Sequence, residues 1–202
     1  MKPVLNTDVL GEKMKYEYNY PMPAVTADII VVRGDWDEER EVLLVKRAKD
    51  PFKDHWSFPG GHFDVNTDAS VLDCALRELK EETQIEAVKE FMELLGHFDE
   101  MNRDPRGRYV TFVYVYDTTD YKVDVEAADD VDDHQWVPFG KIKDISLAFD
   151  HRKIFDHFLA HFEDLGFCVK CGKICENWTD EENLLCDNCD TEGAIIAAQE
   201  EV

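Results

Sequence analysis

Apolar residues in the first third of the chain fall into short β-rich runs. Ala24 to Val32 alternates loosely, and Glu41 to Lys46 (Glu-Val-Leu-Leu-Val-Lys) is a second apolar run. Gly34-Asp35-Trp36-Asp37 between them has turn chemistry, so the pair predicts a β-hairpin. Trp56 to Phe58 reads as a shorter strand that runs into a Pro59-Gly60-Gly61 turn. From Ser70, a good N-cap, Leu72, Leu76 and Leu79 recur at helical spacing, which predicts a helix ending around Gln84. Glu90 to Phe98 and Tyr109 to Tyr116 are further strands, joined by a turn that carries Arg103, Arg106 and Arg108. An acidic connection from Asp117 to Asp133 leads to a short strand at Gln135-Trp136-Val137. Phe149 to Phe162 is then a helix with Ile154, Phe155, Phe158 and Leu159 as its buried stripe. Near the start, Tyr16, Tyr18 and Tyr20 alternate at a period of two, the mark of an extended segment covering something apolar. Mixed strands with a helix on each side predict the α/β class, as an α/β/α sandwich.

The composition sharpens this picture in two respects. A chain of 202 residues with 44% hydrophobic content suits one domain plus an appendage. The expected division is an N-terminal extension over 1–23, the main domain over 24–166, a small cysteine-bearing unit over 167–190 and a tail over 191–202. A net charge of -23, from 45 acids against 22 bases, leaves no electrostatic footprint for a nucleic-acid backbone or an anionic lipid surface, so neither nucleic acid nor membrane is an expected partner. No stretch approaches a membrane span, and the start lacks the apolar run of a signal peptide, so a cytoplasmic location with reduced cysteines is expected.

The candidate chemistry lies in Arg77-Glu78-Leu79-Lys80-Glu81-Glu82-Thr83. On a helix, Glu78, Glu81 and Glu82 stand at i, i+3 and i+4, where like charges repel unless a divalent cation turns the repulsion into coordination. The upstream Gly60-Gly61 pair allows backbone to approach an ion or a phosphate closely. Turn and helix together resemble the Nudix box, whose pattern is Gly, five residues, Glu, seven residues, then Arg-Glu-aliphatic-any-Glu-Glu-any-Gly-aliphatic. Arg77, Glu78, Leu79, Glu81, Glu82 and Ile85 match, whereas Gln84 stands in place of the second Gly. The first Glu is missing: counted back from Arg77 its position is Ala69, and counted forward from Gly61 it is Thr67, as though two residues were inserted. In the family that Glu braces the Arg, and Asp68 or Asp73 is the available substitute here.

The resemblance implies the Nudix α/β/α sandwich with a mixed sheet, and metal-dependent hydrolysis of a pyrophosphate. Glu78 and Glu82 are then the expected Mg²⁺ or Mn²⁺ ligands, Glu81 is a third ligand or the group that orients water, Gly61 lends a carbonyl, and Arg77 orients the carboxylates. The base is expected from Glu81 or from the acidic loop at Glu126, Asp129 and Asp130. The strand leading to Asp50-Pro51-Phe52-Lys53, the arginine turn and Leu147-Ala148-Phe149-Asp150-His151 look like the ADP-ribose pyrophosphatase branch, with Arg47, Arg103 and Arg106 as candidate phosphate holders. That branch implies a nucleoside diphosphate derivative such as ADP-ribose as substrate and, by resemblance, a homodimer. His151 is read as a helix-start or packing residue, and Cys74 as core packing.

Five of the six cysteines lie late in the chain, as Cys168-x2-Cys171, Cys175 and Cys186-x2-Cys189. Two such knuckles predict a small C-terminal zinc ribbon with Cys168, Cys171, Cys186 and Cys189 as the ligands of one structural Zn²⁺ and Cys175 outside the set. Docking of a protein partner or a structural lid is the expected use of the ribbon. Two other readings stand beside the main one. One is an NADH or NAD-cap pyrophosphatase, a branch that also joins a zinc ribbon to this domain, though in a different order. The other is a ligand-sensing or interaction module without catalysis.

Overall fold

The computed structural model describes residues 18–34, 40–119, 131–163, 178–180 and 185–186. Its strands are β1 (Ala24–Arg33), β2 (Glu41–Arg47), β3 (Trp56–Ser57), β4 (Gly60–His62), β5 (Met92–Phe98), β6 (Tyr109–Asp117) and β7 (Val131–Pro138). Two helices, α1 (Val71–Thr83) and α2 (His151–Glu163), and two 3₁₀ turns, Lys89–Phe91 and Phe139–Asp144, complete the main body. The strands form one mixed sheet in the order β3-β2-β1-β6-β5, with β4 also paired to β1 and β7 to β2. Strand β1 is its axis. It runs parallel to β6 from Ala24↔Tyr109 to Val32↔Asp117, and antiparallel to β4 where Asp28 faces Gly60. Its hairpin with β2 is short, pairing Val32 with Val42 and Arg33 with Glu41, because β2 turns to lie along β7 instead.

The near-continuous apolar run of β1 follows from burial on both faces, and its alternation assigns each residue to one of two cores. Ile30 and Val32, with Val42 and Leu44, pack under α2 against Ile154, Phe155 and Phe158. Ala27, Ile29 and Val31, with Leu43, pack under α1 against Cys74, Ala75 and Leu79. The stripe of α1 therefore differs from the leucine spacing. Small Cys74 and Ala75 are fully buried, which lets the helix sit close to the sheet, while Leu76 is only half-buried. In α2 the expected Ile154, Phe155 and Phe158 are the buried residues.

Several boundaries shift. The Gly60-Gly61 segment is not only a turn: it pairs with β1 as β4, and β3 stops at Ser57. Strand β5 begins at Met92 after a 3₁₀ turn, and β7 extends back to Val131 into the stretch expected to be acidic connection. No strand occupies 18–23, where Tyr18 and Tyr20 are exposed. Tyr16, the turn residues Asp35, Trp36 and Asp37, Glu126, Asp129, Asp130, Cys168, Cys171, Cys175 and Cys189 lie outside the described residues. Cys186 is described only as backbone, in a two-stranded pairing of β8 (Trp178–Asp180) with β9 (Leu185–Cys186).

Candidate functional site

Helix α1 begins where the Ser70 hydroxyl accepts the Asp73 N–H at 3.2 Å, and it ends with Gln84 at φ 61°, whose N–H reaches the Lys80 carbonyl at 2.9 Å. That left-handed φ explains why glycine is usual at the position of Gln84. Within the helix, Glu78 and Glu82 stand one turn apart and both line a cavity of about 360 Å³. Glu81 does not. It is turned to Arg77, with Nη1–Oε2 at 2.9 Å, and its side chain is 46% exposed. An i,i+4 ion pair has taken the third carboxylate away from its two neighbours.

Arg77 binds both oxygens of Asp68, with Nε–Oδ1 at 2.8 Å and Nη2–Oδ2 at 2.9 Å. It also donates to Glu78 Oε1 at 2.7 Å and to the His62 carbonyl at 3.0 Å. Asp68 is thus the substitute brace. It accepts the Asp64 N–H at 2.8 Å as well, and hydrogen bonding to Arg77 holds its carboxyl down at about 2. Asp73 is occupied elsewhere, by Ser70 and Lys89.

The glycine turn is built against these carboxylates. A Cβ on Gly61 would stand 2.4 Å from Glu78 Cδ, and one on Gly60 would stand 2.3 Å from the Ala27 carbonyl oxygen and 2.7 Å from Asp28 Oδ1. The Gly60 N–H donates to Glu82 Oε2 at 3.0 Å. Desolvation pushes the Glu82 carboxyl up to about 8 and raises Glu78 and Asp28 above the ordinary carboxylate range. All three line the same cavity. Among the described residues no three His, Cys, Asp or Glu side chains are gathered as a ready-made cation cluster. Glu78 and Glu82 supply hard carboxylate oxygens at the cavity, with Gly61 lining it beside them. This fits Mg²⁺ or Mn²⁺, which retain water and take phosphate oxygens directly.

The three candidate arginines also line the cavity, in different states. Arg103 is buried and bidentate to Asp150, with Nε–Oδ2 at 2.9 Å and Nη2–Oδ1 at 2.7 Å, so its charge is matched within the fold. Arg106 is paired with Asp104, with Nη2–Oδ2 at 2.6 Å, and lies over Tyr109 and Phe149. Arg47 donates to the carbonyls of Pro51 at 3.0 Å and Lys49 at 3.4 Å, and sits 4.8 Å above the Phe149 ring. No carboxylate among the described residues forms an ion pair with Arg47, and burial lowers its pKa. Of the three arginines, Arg47 is the one without a carboxylate partner among the described residues.

His151 opens α2 with its ring buried and stacked on Phe58 at 5.0 Å, and Nδ1 accepts the Phe58 N–H at 3.0 Å. It packs, as expected, but it also faces the cavity beside Asp28. Asp28 is a residue that motif reading passed over. Its signal was a lone acid inside the apolar run Ala24 to Val32, and its carboxylate is held by the Thr111 hydroxyl.

A model of the NUDIX domain family matches residues 22–158. The sequence is 29% identical over 146 residues to the ADPR responsive transcriptional repressor NtrR of Acinetobacter baylyi, covering 72% of this chain and 57% of that protein. It is 31% identical over 140 residues to the ADP-ribose pyrophosphatase of Methanocaldococcus jannaschii, covering 69% of this chain and 75% of that one. Among solved structures, the NUDIX domain of Shewanella oneidensis NrtR complexed with ADP ribose matches with a TM-score of 0.65 and 28% identity, covering 71% of this chain and 90% of that one. The chain thus spans little more than half the length of the Acinetobacter repressor.

Proposed function

The chain belongs to the NUDIX domain family, and from that premise we propose that it hydrolyses the pyrophosphate of a nucleoside diphosphate linked to a second moiety, with ADP-ribose as the substrate and AMP and ribose 5-phosphate as products. One observation carries the reading: a single cavity is lined by the desolvated carboxylates Glu78 and Glu82 and by the cations Arg47 and Arg106. A cavity of about 360 Å³ is in the range of small-ligand sites, and it offers acids for a divalent cation beside bases for phosphate oxygens. The similarity to the Methanocaldococcus pyrophosphatase supports the same substrate.

Glu78, Glu82 and the Gly61 carbonyl would hold Mg²⁺ or Mn²⁺. When bound, such a cation neutralises charge on phosphate oxygens and acidifies water. Arg77, anchored on Asp68, fixes the rotamer of Glu78 and does not line the cavity. Arg47 offers its charge to a phosphate, with Arg106 beside it and Phe149 beneath both. Water attacks one phosphorus, the bridging P–O bond breaks, and the water's proton passes to a carboxylate. Glu81, Glu126, Asp129 and Asp130 are the candidates for that acceptor, to be separated by the kcat of single Ala variants. Cys168, Cys171, Cys186 and Cys189 are proposed as one structural zinc site.

The test is a product assay over ADP-ribose, NADH, NAD and dNTPs with a metal titration. AMP and ribose 5-phosphate from ADP-ribose, dependent on Mg²⁺ or Mn²⁺, are expected. Pyrophosphate released from a dNTP with ADP-ribose untouched would overturn the reading, and preferential cleavage of NADH or NAD would move it to that branch. A second reading, an ADP-ribose-sensing module, is favoured by the similarity to the Acinetobacter repressor. Binding of ADP-ribose without AMP release in the presence of metal would establish it.

A further inference from the structure

Asp28 and His151 are not used by the hydrolytic scheme, yet both open onto its cavity. They come from different parts of the fold, the middle of β1 and the first turn of α2. Because the Phe58 N–H donates to Nδ1, that nitrogen is an acceptor and the ring proton sits on Nε2. Burial pushes the imidazole down to about 3, so the ring remains a neutral donor throughout the physiological range. On the other side, Asp28 Oδ2 is taken by the Thr111 hydroxyl, which leaves Oδ1 as an acceptor. His151 Nε2 and Asp28 Oδ1 are 3.9 Å apart, too far for a direct hydrogen bond, and no other described residue bonds to either atom. The His151 side chain is 4% exposed and that of Asp28 is 12% exposed.

A donor and an acceptor at this separation fit one oxygen placed about 2.8 Å from both, with the two bonds meeting at roughly a right angle. That oxygen must accept from Nε2–H and donate to Oδ1. A phosphate oxygen has no proton to donate to Oδ1. A nucleophilic water held on a cation would commit one lone pair to the cation and the other to His151, leaving none for phosphorus. A sugar hydroxyl meets both demands. We infer that Asp28 and His151 form a hydroxyl-recognising subsite, in which one ribose hydroxyl of the substrate donates to Asp28 Oδ1 and accepts from His151 Nε2–H. The inference rests on the ADP-ribose reading and deepens it, because a buried donor and acceptor left unmatched penalise a ligand without the hydroxyl, which makes the pair a determinant of selectivity.

The hydroxyl belongs to the terminal ribose or to the adenosine, and two analogues separate these sources: the ethyl ester of ADP, which lacks the terminal sugar, and ADP-ribose with a 2′,3′-dideoxyadenosine. The experiment measures kcat/KM and, by calorimetry without metal, binding of ADP-ribose and both analogues to the full chain, wild type and the variants His151→Phe, His151→Gln and Asp28→Asn. The wild type should prefer ADP-ribose to one analogue. That preference should fall about tenfold or more in His151→Phe and Asp28→Asn, and return in part in His151→Gln, whose amide can donate. If His151→Phe does not fold, the other two variants report the same ratio. An undiminished preference, as for a pair that holds only a structural water, overturns the inference, and so does an equal loss on all three compounds. A wild-type chain that neither binds nor cleaves ADP-ribose refutes the underlying reading, and the subsite falls with it.

Discussion

Removing the carboxylate of Asp68 tests the brace directly. Its side chain is 3% exposed and holds both Nε and Nη2 of Arg77, besides the Asp64 amide. The carboxyl is lowered from 3.8 to about 2, which at ~1.4 kcal/mol per unit corresponds to roughly 2 kcal/mol of stability at neutral pH. Asp68→Ala also leaves the Asp64 N–H without this partner, so the expected loss is about 2 to 4 kcal/mol in urea unfolding at pH 7. The sign of the pH dependence follows from the lowered pKa. The contribution is complete above 3.8 and disappears as pH falls through about 2, so the gap between wild type and variant should close only over that acid interval. Turnover should fall about tenfold with a higher Mg²⁺ requirement, because Arg77 would no longer fix Glu78. Asp73→Ala is the control and should leave the metal requirement unchanged, since Asp73 bonds Ser70 and Lys89 rather than Arg77. A variant at Asp68 within about 0.5 kcal/mol of wild type, with an unaltered metal titration, would refute the reasoning.

Glu82→Gln and Glu78→Gln should each reduce kcat by about 10² to 10³ while the metal-free protein becomes more stable at neutral pH, because each removes a carboxylate that burial disfavours; denaturation and kinetics on the same samples check both halves. Arg103→Ala should cost about 3 to 5 kcal/mol by stranding Asp150, whereas Arg47→Ala should mainly raise KM, which a melt beside a kinetic assay distinguishes. Gln84→Gly should stabilise the fold by about 1 kcal/mol by relieving a left-handed residue, measured as a shift in the urea midpoint. Elemental analysis should find one zinc per chain, lost in Cys186→Ser.

Local physics made much of α1 legible. A Ser70 cap, an apolar period and the order Arg77-Glu78-x-x-Glu81-Glu82 are contained within a few turns, and the helix starts and ends where they place it. The brace was not legible, because Asp68 and Asp73 are equally acidic on paper. The choice is made by a loop in which Asp64 turns the chain back, placing Asp68 against Arg77. Glu81 stood apart as a third ligand or a water-orienting group, but spacing alone does not show that Arg77 will claim it. Arg103 and Arg106 looked like uncommitted cations. The partner of Arg106 was visible two residues away, but Asp150 lies 47 residues downstream of Arg103, beyond the reach of pattern reading. Asp28 and His151 come near one another only because the fold sets the middle of β1 beside the first turn of α2; Asp28 carries no motif, and His151 reads in the sequence only as a helix-start or packing residue.

The bond from the Gly60 amide to Glu82 Oε2 gives the molecule a built-in spectroscopic reporter. An amide proton's resonance position follows the electron density of its acceptor, and that density is withdrawn when the same carboxylate is shared with a divalent cation. In ¹⁵N-labelled protein, the Gly60 cross-peak should therefore track occupancy of Glu82 during a Mg²⁺ titration, before any substrate is added and without a label placed in the site.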